Sequence, residues 1–329
     1  MKRFFAAGFG LVLVTAAAAS AAPVLYTGEI GVMRVSGKFC ASDVYERLPQ
    51  IDLALDRKGD GEFSGYYSIE GVKIGKLSGA SAAQLSVEYP IADKVLSQGH
   101  TLSLDLGKDP VAGILQEKGL VENAEGCAIE VGEVRLSPLP DEDAAQWLTR
   151  TEKSYQAQAL SSEALSFMKK EQPGKAIPLY QKALSLEEAA QSSGSPLTIL
   201  YVDQLAQAYG KNHQVDQGIA VLEPRVAQSE DPEKRFYSEG LARLLQVKAA
   251  AYYRDGKFSE ALPVFRRAMT LDPSESAYPV GLARTLIKLQ RTDEAAALIK
   301  EVTPLFGDES DRDELNRVSQ ELQTLKKKQ

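Results

Sequence analysis

The sequence predicts a multidomain protein in which an N-terminal all-β domain, an antiparallel sandwich or a barrel, precedes a C-terminal all-α solenoid of helical hairpins. Three observations support this. The 329 residues exceed what one hydrophobic core usually organises. The spacing of apolar residues changes from about two to about 3.6 after residue 140. Small and aromatic residues in the second half recur at intervals of about 34.

The first stretch of the chain resembles an export signal rather than part of the fold. Lys2 and Arg3 precede an apolar run that ends in Ala19-Ser20-Ala21, where small residues suit a signal peptidase. A membrane anchor is the alternative, but the run is shorter than the roughly 20 residues that span a bilayer. We therefore expect a signal peptide over 1–21, a periplasmic or secreted protein, and no integral membrane segment after cleavage.

Residues 23–137 show the pattern of short strands. Ile51, Leu53 and Leu55 alternate with other residues, which places three aliphatic side chains on one face of an extended segment. Turn residues such as 58–61, Lys-Gly-Asp-Gly, separate this run from similar ones. Two prolines within 138–143 interrupt any regular element and predict a linker there.

Cys40 and Cys127 are the only cysteines, and both belong to the β domain. An even pair in an exported chain is most often a disulfide. Closing this loop would stabilise the fold by about 4 to 5 kcal/mol in the chain-entropy model. A redox-active or metal-binding pair is the alternative, but no Cys-x-x-Cys motif occurs.

The strongest pattern in the chain lies between 245 and 273. Its spaced residues are Ala249, Tyr252, Gly256, Ala261, Phe265, Ala268 and Pro273. This spacing resembles the tetratricopeptide repeat, in which small residues let two antiparallel helices approach and aromatic residues fill the space beside them. Weaker copies, at Ala164, Phe167, Ala176, Tyr180, Ala183, Ala206, Tyr209, Gly218, Leu222, Ala283, Leu286, Ala295 and Ile299, complete a set of four.

The copies place four hairpins within 144–309, at 157–190, 199–232, 242–275 and 276–309. Eight extra residues follow the first copy and nine follow the second. Leu315, Val318, Leu322 and Leu325 form one apolar stripe, so that 310–329 is predicted to be a capping helix. The segment 141–155, with the only tryptophan, Trp147, could cover the other end of the array or belong to the first hairpin.

Resemblance to this family implies a function in binding proteins. Family members bind peptides or proteins in a concave groove lined by the first helix of each hairpin. The positions that point into that groove are Asp203, Gln207, Lys211, Arg243, Gln246, Tyr253, Arg254, Arg284 and Lys288. The resemblance therefore implies a non-enzymatic scaffold or adaptor of the bacterial cell envelope, and the partner could be acidic because four of these residues in adjacent repeats are cationic.

Composition and motifs argue against other classes of function. Without Lys2 and Arg3, acidic residues exceed basic ones by nine, which is unfavourable for nucleic acid binding. His100 and His213 are the only histidines and have no metal-ligand spacing. No phosphate loop or nucleophile elbow occurs, so that we expect no enzyme, no cofactor and no metal.

A second hypothesis assigns recognition to the β domain. Tyr66, Tyr67 or Tyr89 could form an exposed aromatic platform for a glycan or another envelope polymer, while the repeats recruit a partner. Because Tyr66 and Tyr67 are adjacent, one of them must face away from the core of a strand.

Overall fold

The computed structural model describes residues 22–36, 48–58, 61–90, 100–116, 128–139, 143–190 and 195–326. The predicted signal peptide, Cys40 and Cys127 lie outside these ranges. The chain forms two compact units, and the boundary between them falls after Tyr155.

The first unit contains a closed antiparallel barrel, which resolves the choice between sandwich and barrel. Its strands are β1 (Val24–Ser36), β2 (Gln50–Arg57), β3 (Phe63–Ile69), β4 (Lys73–Ser81), β5 (Gln84–Glu88), β6 (Thr101–Asp105), β7 (Val111–Gln116) and β8 (Ala128–Pro138). Each strand pairs with its neighbours in sequence, and β1 closes the barrel against β8, with Gly28 opposite Leu136. Closure leaves no free sheet edge.

Alternating side chains fill the barrel. Ile51, Leu53 and Leu55 of β2 are buried in its core, as their alternation predicts. Ala54, between them, faces outward and is buried against Leu25 and Trp147. The first part of α1 (Ala144–Lys169), which carries Trp147, therefore packs on the outside of the barrel. Neither of the two alternatives for 141–155 describes this contact: the described part, 143–155, belongs to the first unit, and its Trp147 packs on the barrel.

The strands β4 and β7 escaped the sequence pattern because glycines interrupt them. A Cβ at Gly75 would lie 2.4 Å from the ring of Tyr67, so that this strand needs a residue without a side chain. At Gly113 a Cβ would lie 2.3 Å from the carbonyl oxygen of Ser103. Glycine within a strand commonly marks such a close approach.

The second unit is built of helical hairpins, as predicted. After α1 come α2 (Pro173–Ala190), α3 (Pro196–Lys211), α4 (Val215–Gln228), α5 (Glu233–Arg254), α6 (Phe258–Leu271), α7 (Ala277–Lys288), α8 (Thr292–Val302) and α9 (Glu309–Lys326). The nine extra residues before the third copy, 233–241, lengthen α5 at its N-terminus. Ala249, Ala261 and Phe265, taken from the strongest copy, are buried in one core.

The four hairpins share one turn geometry. In each, three residues join the helices, and the middle one has a positive φ: Glu171 (56°), His213 (60°), Gly256 (74°) and Gln290 (59°). The following residue donates its backbone N–H to a carbonyl five residues earlier, as in the bond from Lys257 to Tyr252 at 2.8 Å. This closes the first helix of each hairpin in the manner of a Schellman motif.

Candidate partner-binding groove

The exposed side of α3, α5 and α7, which we call the groove face, carries all nine residues that the repeat selects. The three helices are the first helices of consecutive hairpins. Their inward sides are buried, at Leu205, Leu245 and Leu286 for example. The residues of the groove face are half-buried or exposed, so that they are available to a partner.

The middle of the groove face is electrically balanced. Arg243 of α5 donates through Nη2 to Oδ1 of Asp203 on α3 at 2.9 Å. Gln207 donates to the other oxygen of the same carboxylate at 2.6 Å. Two of the predicted residues, Gln207 and Arg243, therefore contact a third, Asp203, and the charge of Arg243 is paired with that carboxylate.

Lys211, Gln246 and Arg254 lie apart from that network. Lys211 and Arg254 occupy the last turns of α3 and α5, where a positive charge complements the helix dipole. The guanidinium of Arg254 also donates to the carbonyl of Ala250 at 3.4 Å. Gln246 is half-buried one turn after Arg243. None of the three lines the cavity that lies at the end of the groove face.

That cavity, which we call the α7–α9 pocket, has a volume of about 630 Å³. It brings together three predicted residues: Tyr253, Arg284 and Lys288. The remaining lining residues are Ile287, Arg317, Gln320, Glu321, Thr324 and Leu325. Volumes of this size are usual for small-ligand and side-chain binding sites in proteins.

Side chains on both walls are positioned by their neighbours. The ring of Tyr253 meets the ring of Phe258 edge to face, with centroids 5.1 Å apart. Such an arrangement restricts the tyrosine to one orientation. Across the pocket, Nη2 of Arg284 lies 3.9 Å from Oε1 of Glu321, and both side chains keep about half of their surface in solvent. The pair is thus loose and accessible to a competing carboxylate.

The contribution of α9 to the pocket does not follow from the repeat pattern. Leu315, Val318 and Leu322 are buried, as the predicted cap requires. Leu325, however, is 39% exposed and lines the pocket instead of completing the stripe. The available signal was the spacing of Arg317, Gln320, Glu321 and Thr324, which places these four residues on one helix face next to the apolar stripe.

The aromatic platform predicted for the β domain is wrong. Tyr67 and Tyr89 are buried inside the barrel, where their hydroxyls bond to each other. The ring of Tyr66 lies 5.6 Å from that of Tyr155, and burial, with smaller contributions from Glu152 and Glu88, raises the pKa of Tyr66 to about 12. The physical reason is that α1 covers the outward-facing tyrosine.

The two histidines occupy unrelated positions. His100 is buried against the ring of Tyr89, and His213 lies exposed in the turn between α3 and α4. Within the described ranges, no three His, Cys, Asp or Glu side chains are grouped so that they could hold a metal ion. The helices in those ranges include none with the length and hydropathy needed to cross a membrane.

Comparison with known proteins bears on the helical unit. Residues 252–315 match the family model of the tetratricopeptide repeat. TPR-like repeats of a kinesin light chain from Podosopora anserina are 22% identical, cover 53% of this chain and 93% of that chain, and superpose with a TM-score of 0.37. The structure of pilF from Pseudomonas aeruginosa is 16% identical, covers 54% of this chain and 79% of that chain, and superposes with a TM-score of 0.35.

No curated protein matches the chain. Both TM-scores are below 0.5, so the assignment depends on the family match and on the four hairpins with their common turn. The prediction from residue spacing is confirmed: the C-terminal, helical half of this chain contains tetratricopeptide repeats, with the family match at residues 252–315.

Proposed function

We propose that this protein is a non-enzymatic scaffold or adaptor of the bacterial cell envelope that binds a peptide or protein partner on its groove face. The observation that carries the proposal is the α7–α9 pocket, because three residues at groove positions of the repeat, Tyr253, Arg284 and Lys288, line it together. Tetratricopeptide regions serve as protein-binding modules, and their stacked hairpins form extended binding surfaces.

The predicted signal peptide supports the choice of compartment. The basic start, the apolar run and the small residues before Pro23 are typical of a signal peptide. We expect cell fractionation to release the mature protein with the periplasmic contents, beginning at residue 22. Recovery of the full-length chain, Met1 included, in the cytosol would contradict the envelope assignment.

Partner binding can be tested in the native cell by site-specific photocrosslinking. A photoreactive residue in place of Thr324, which lines the pocket without a charge, should give one discrete crosslinked product. The same residue in place of Glu260, exposed on the second helix α6, is the matched control and should not give it. The variant with Arg284→Glu and Lys288→Glu should lose the product while keeping its helical circular dichroism.

The choice of residues follows from the geometry. Reversing Arg243 would place two carboxylates together at Asp203, so a loss of binding there would not separate recognition from stability. Identical products from positions 324 and 260 would contradict a groove site. Retention on an envelope glycan polymer that survives the double charge reversal would favour the β domain instead.

A further inference from the structure

The groove face has two sections of different charge. In the first, Arg243 is neutralised by Asp203. In the second, the α7–α9 pocket holds three cations, Arg284, Lys288 and Arg317, against the single carboxylate of Glu321. Two positive charges are therefore left in the pocket, although the whole chain has a net charge of −7. A cationic pocket in an acidic protein attracts anions locally while the remainder of the surface repels them.

The pocket is also apolar in part. The ring of Tyr253 and the side chains of Ile287 and Leu325 line it beside the cations. Leu325 is 39% exposed, whereas the other leucines of α9, Leu315 and Leu322, are buried. An apolar side chain left accessible next to three cations suits a ligand that carries both an aliphatic group and carboxylates.

We propose that the α7–α9 pocket binds an acidic segment of a partner protein in which two carboxylate side chains flank an aliphatic one, and that Arg317 is a binding residue. The proposal rests on the proposed function and names the class of partner. Two carboxylates match the two uncompensated charges, and arginine guanidinium groups bind carboxylates through paired hydrogen bonds. A cavity of about 630 Å³ has room for three side chains of this size.

Glu321 adds an internal competitor for the cations of the pocket, which a purely basic patch lacks. Its carboxylate lies 3.9 Å from Arg284 and competes with an incoming carboxylate for the same guanidinium. Because both side chains are largely in solvent, the competing contact is weak and can be displaced. Removing the charge of Glu321 should therefore strengthen binding, whereas removing that of Arg317 should weaken it.

The test uses fluorescence anisotropy with the full mature chain and a labelled peptide Ser-Glu-Leu-Glu-Ser, with both ends capped. We expect Arg317→Gln and Arg284→Gln each to weaken binding about tenfold, as the loss of one charge-assisted contact implies. Glu321→Gln should tighten it several-fold. The control Arg267→Gln removes an arginine of α6 that pairs with Glu223 at 2.7 Å, and should leave affinity unchanged.

Peptide variants identify the group that is recognised. Replacing both glutamates of the peptide by glutamine should abolish binding, and replacing its leucine by serine should weaken it. If only an uncapped peptide binds, a chain terminus is the ligand and the proposal is overturned. Equal effects of Arg267→Gln and Arg317→Gln, or no binding at about 1 mM peptide, where weak complexes still form, would overturn it as well.

These outcomes differ from failure of the proposed function. If the peptide does not bind but the crosslink from position 324 persists, the groove face binds a partner of other chemistry. If the crosslink is absent and the peptide binds as expected, the pocket recognises acidic segments outside the adaptor function. Melting temperatures of the variants should remain within a few degrees of the wild type, because the substituted side chains are exposed or, at Arg284, half-buried.

Discussion

The barrel and the groove face of the helical unit differ in the exposure of their tyrosines, although the core of the helical unit also buries Tyr180, Tyr201 and Tyr278. In the barrel, Tyr67 and Tyr89 point inward and bond to each other, and Tyr66, which points outward, is covered by Tyr155. In the helical unit, Tyr253 and several arginines remain accessible on the groove face. A closed sheet satisfies its own edges and needs no partner, whereas stacked hairpins leave one side of every first helix available.

The largest effect is expected in the core of the barrel. Tyr67 is fully buried, so Tyr67→Ala should lower the free energy of unfolding by about 3 to 5 kcal/mol. Urea unfolding, followed by near-ultraviolet circular dichroism, measures the change. Tyr66→Phe, which keeps the ring beside Tyr155, is the control and should cost less than half as much.

Hydrogen exchange in the Tyr67→Ala variant tests whether the barrel opens as one unit, independently of the helical unit. Because all strands belong to one closed sheet, Tyr67→Ala should raise exchange throughout β1 to β8 together. Exchange in α3 to α8 should stay as in the wild type. A rise confined to β3 and β4 would show that the barrel is not one cooperative unit.

A smaller effect is expected at the turns of the helical unit. Gly256 has a φ of 74°, where a side chain is strained, so Gly256→Ala should destabilise by about 1 kcal/mol. His213 has the same backbone conformation with a side chain, so His213→Gly should stabilise by a similar amount, about 1 kcal/mol. Thermal unfolding of the two variants should therefore shift in opposite directions; shifts of the same sign would contradict a shared turn geometry.

The smallest effect is a loss of stability at alkaline pH. Burial raises the pKa of Tyr66 and of Tyr155 to about 12, from an ordinary value of 10.0. The folded state thus favours the neutral phenols. Their contribution to the free energy of unfolding is therefore fully present below pH 10 and is lost as the pH rises toward 12. Ultraviolet titration of tyrosinate should show a group of phenols that ionise late, including Tyr201 and Tyr278, whose pKa values burial also raises. Tyr66→Phe should reduce that group by one. Ionisation of all exposed and buried tyrosines near pH 10 would refute the contact.

The repeat could be predicted residue by residue because its contacts are local. The repeat length places the turn residue at Glu171 and at Gln290, which correspond to Gly256 of the strongest copy, although neither of them is a glycine. The barrel could be predicted only as a class, since the pairing of β1 with β8 joins residues about a hundred positions apart, and no local pattern encodes it.

The repeat pattern predicts binding residues only on helices that belong to the repeat. Tyr253, Arg284 and Lys288 followed from their repeat positions, but Arg317 belongs to α9, which is not a copy of the repeat. The pairing of Arg243 with Asp203 could not be predicted, because the nine additional residues before the third copy lengthen α5 and change which of its residues lie opposite those of α3. Packing of unequal helices, rather than residue type, decided which charges remain uncompensated.

The four turns of equal backbone geometry are suitable positions for distance measurements along the helical unit. Glu171, His213, Gly256 and Gln290 are all exposed, and a Cβ added at Gly256 would meet nothing within 4 Å. Each turn can therefore carry a dye or spin label at the same backbone geometry. Distances between successive labels would report, hairpin by hairpin, whether the array winds or unwinds when a partner binds.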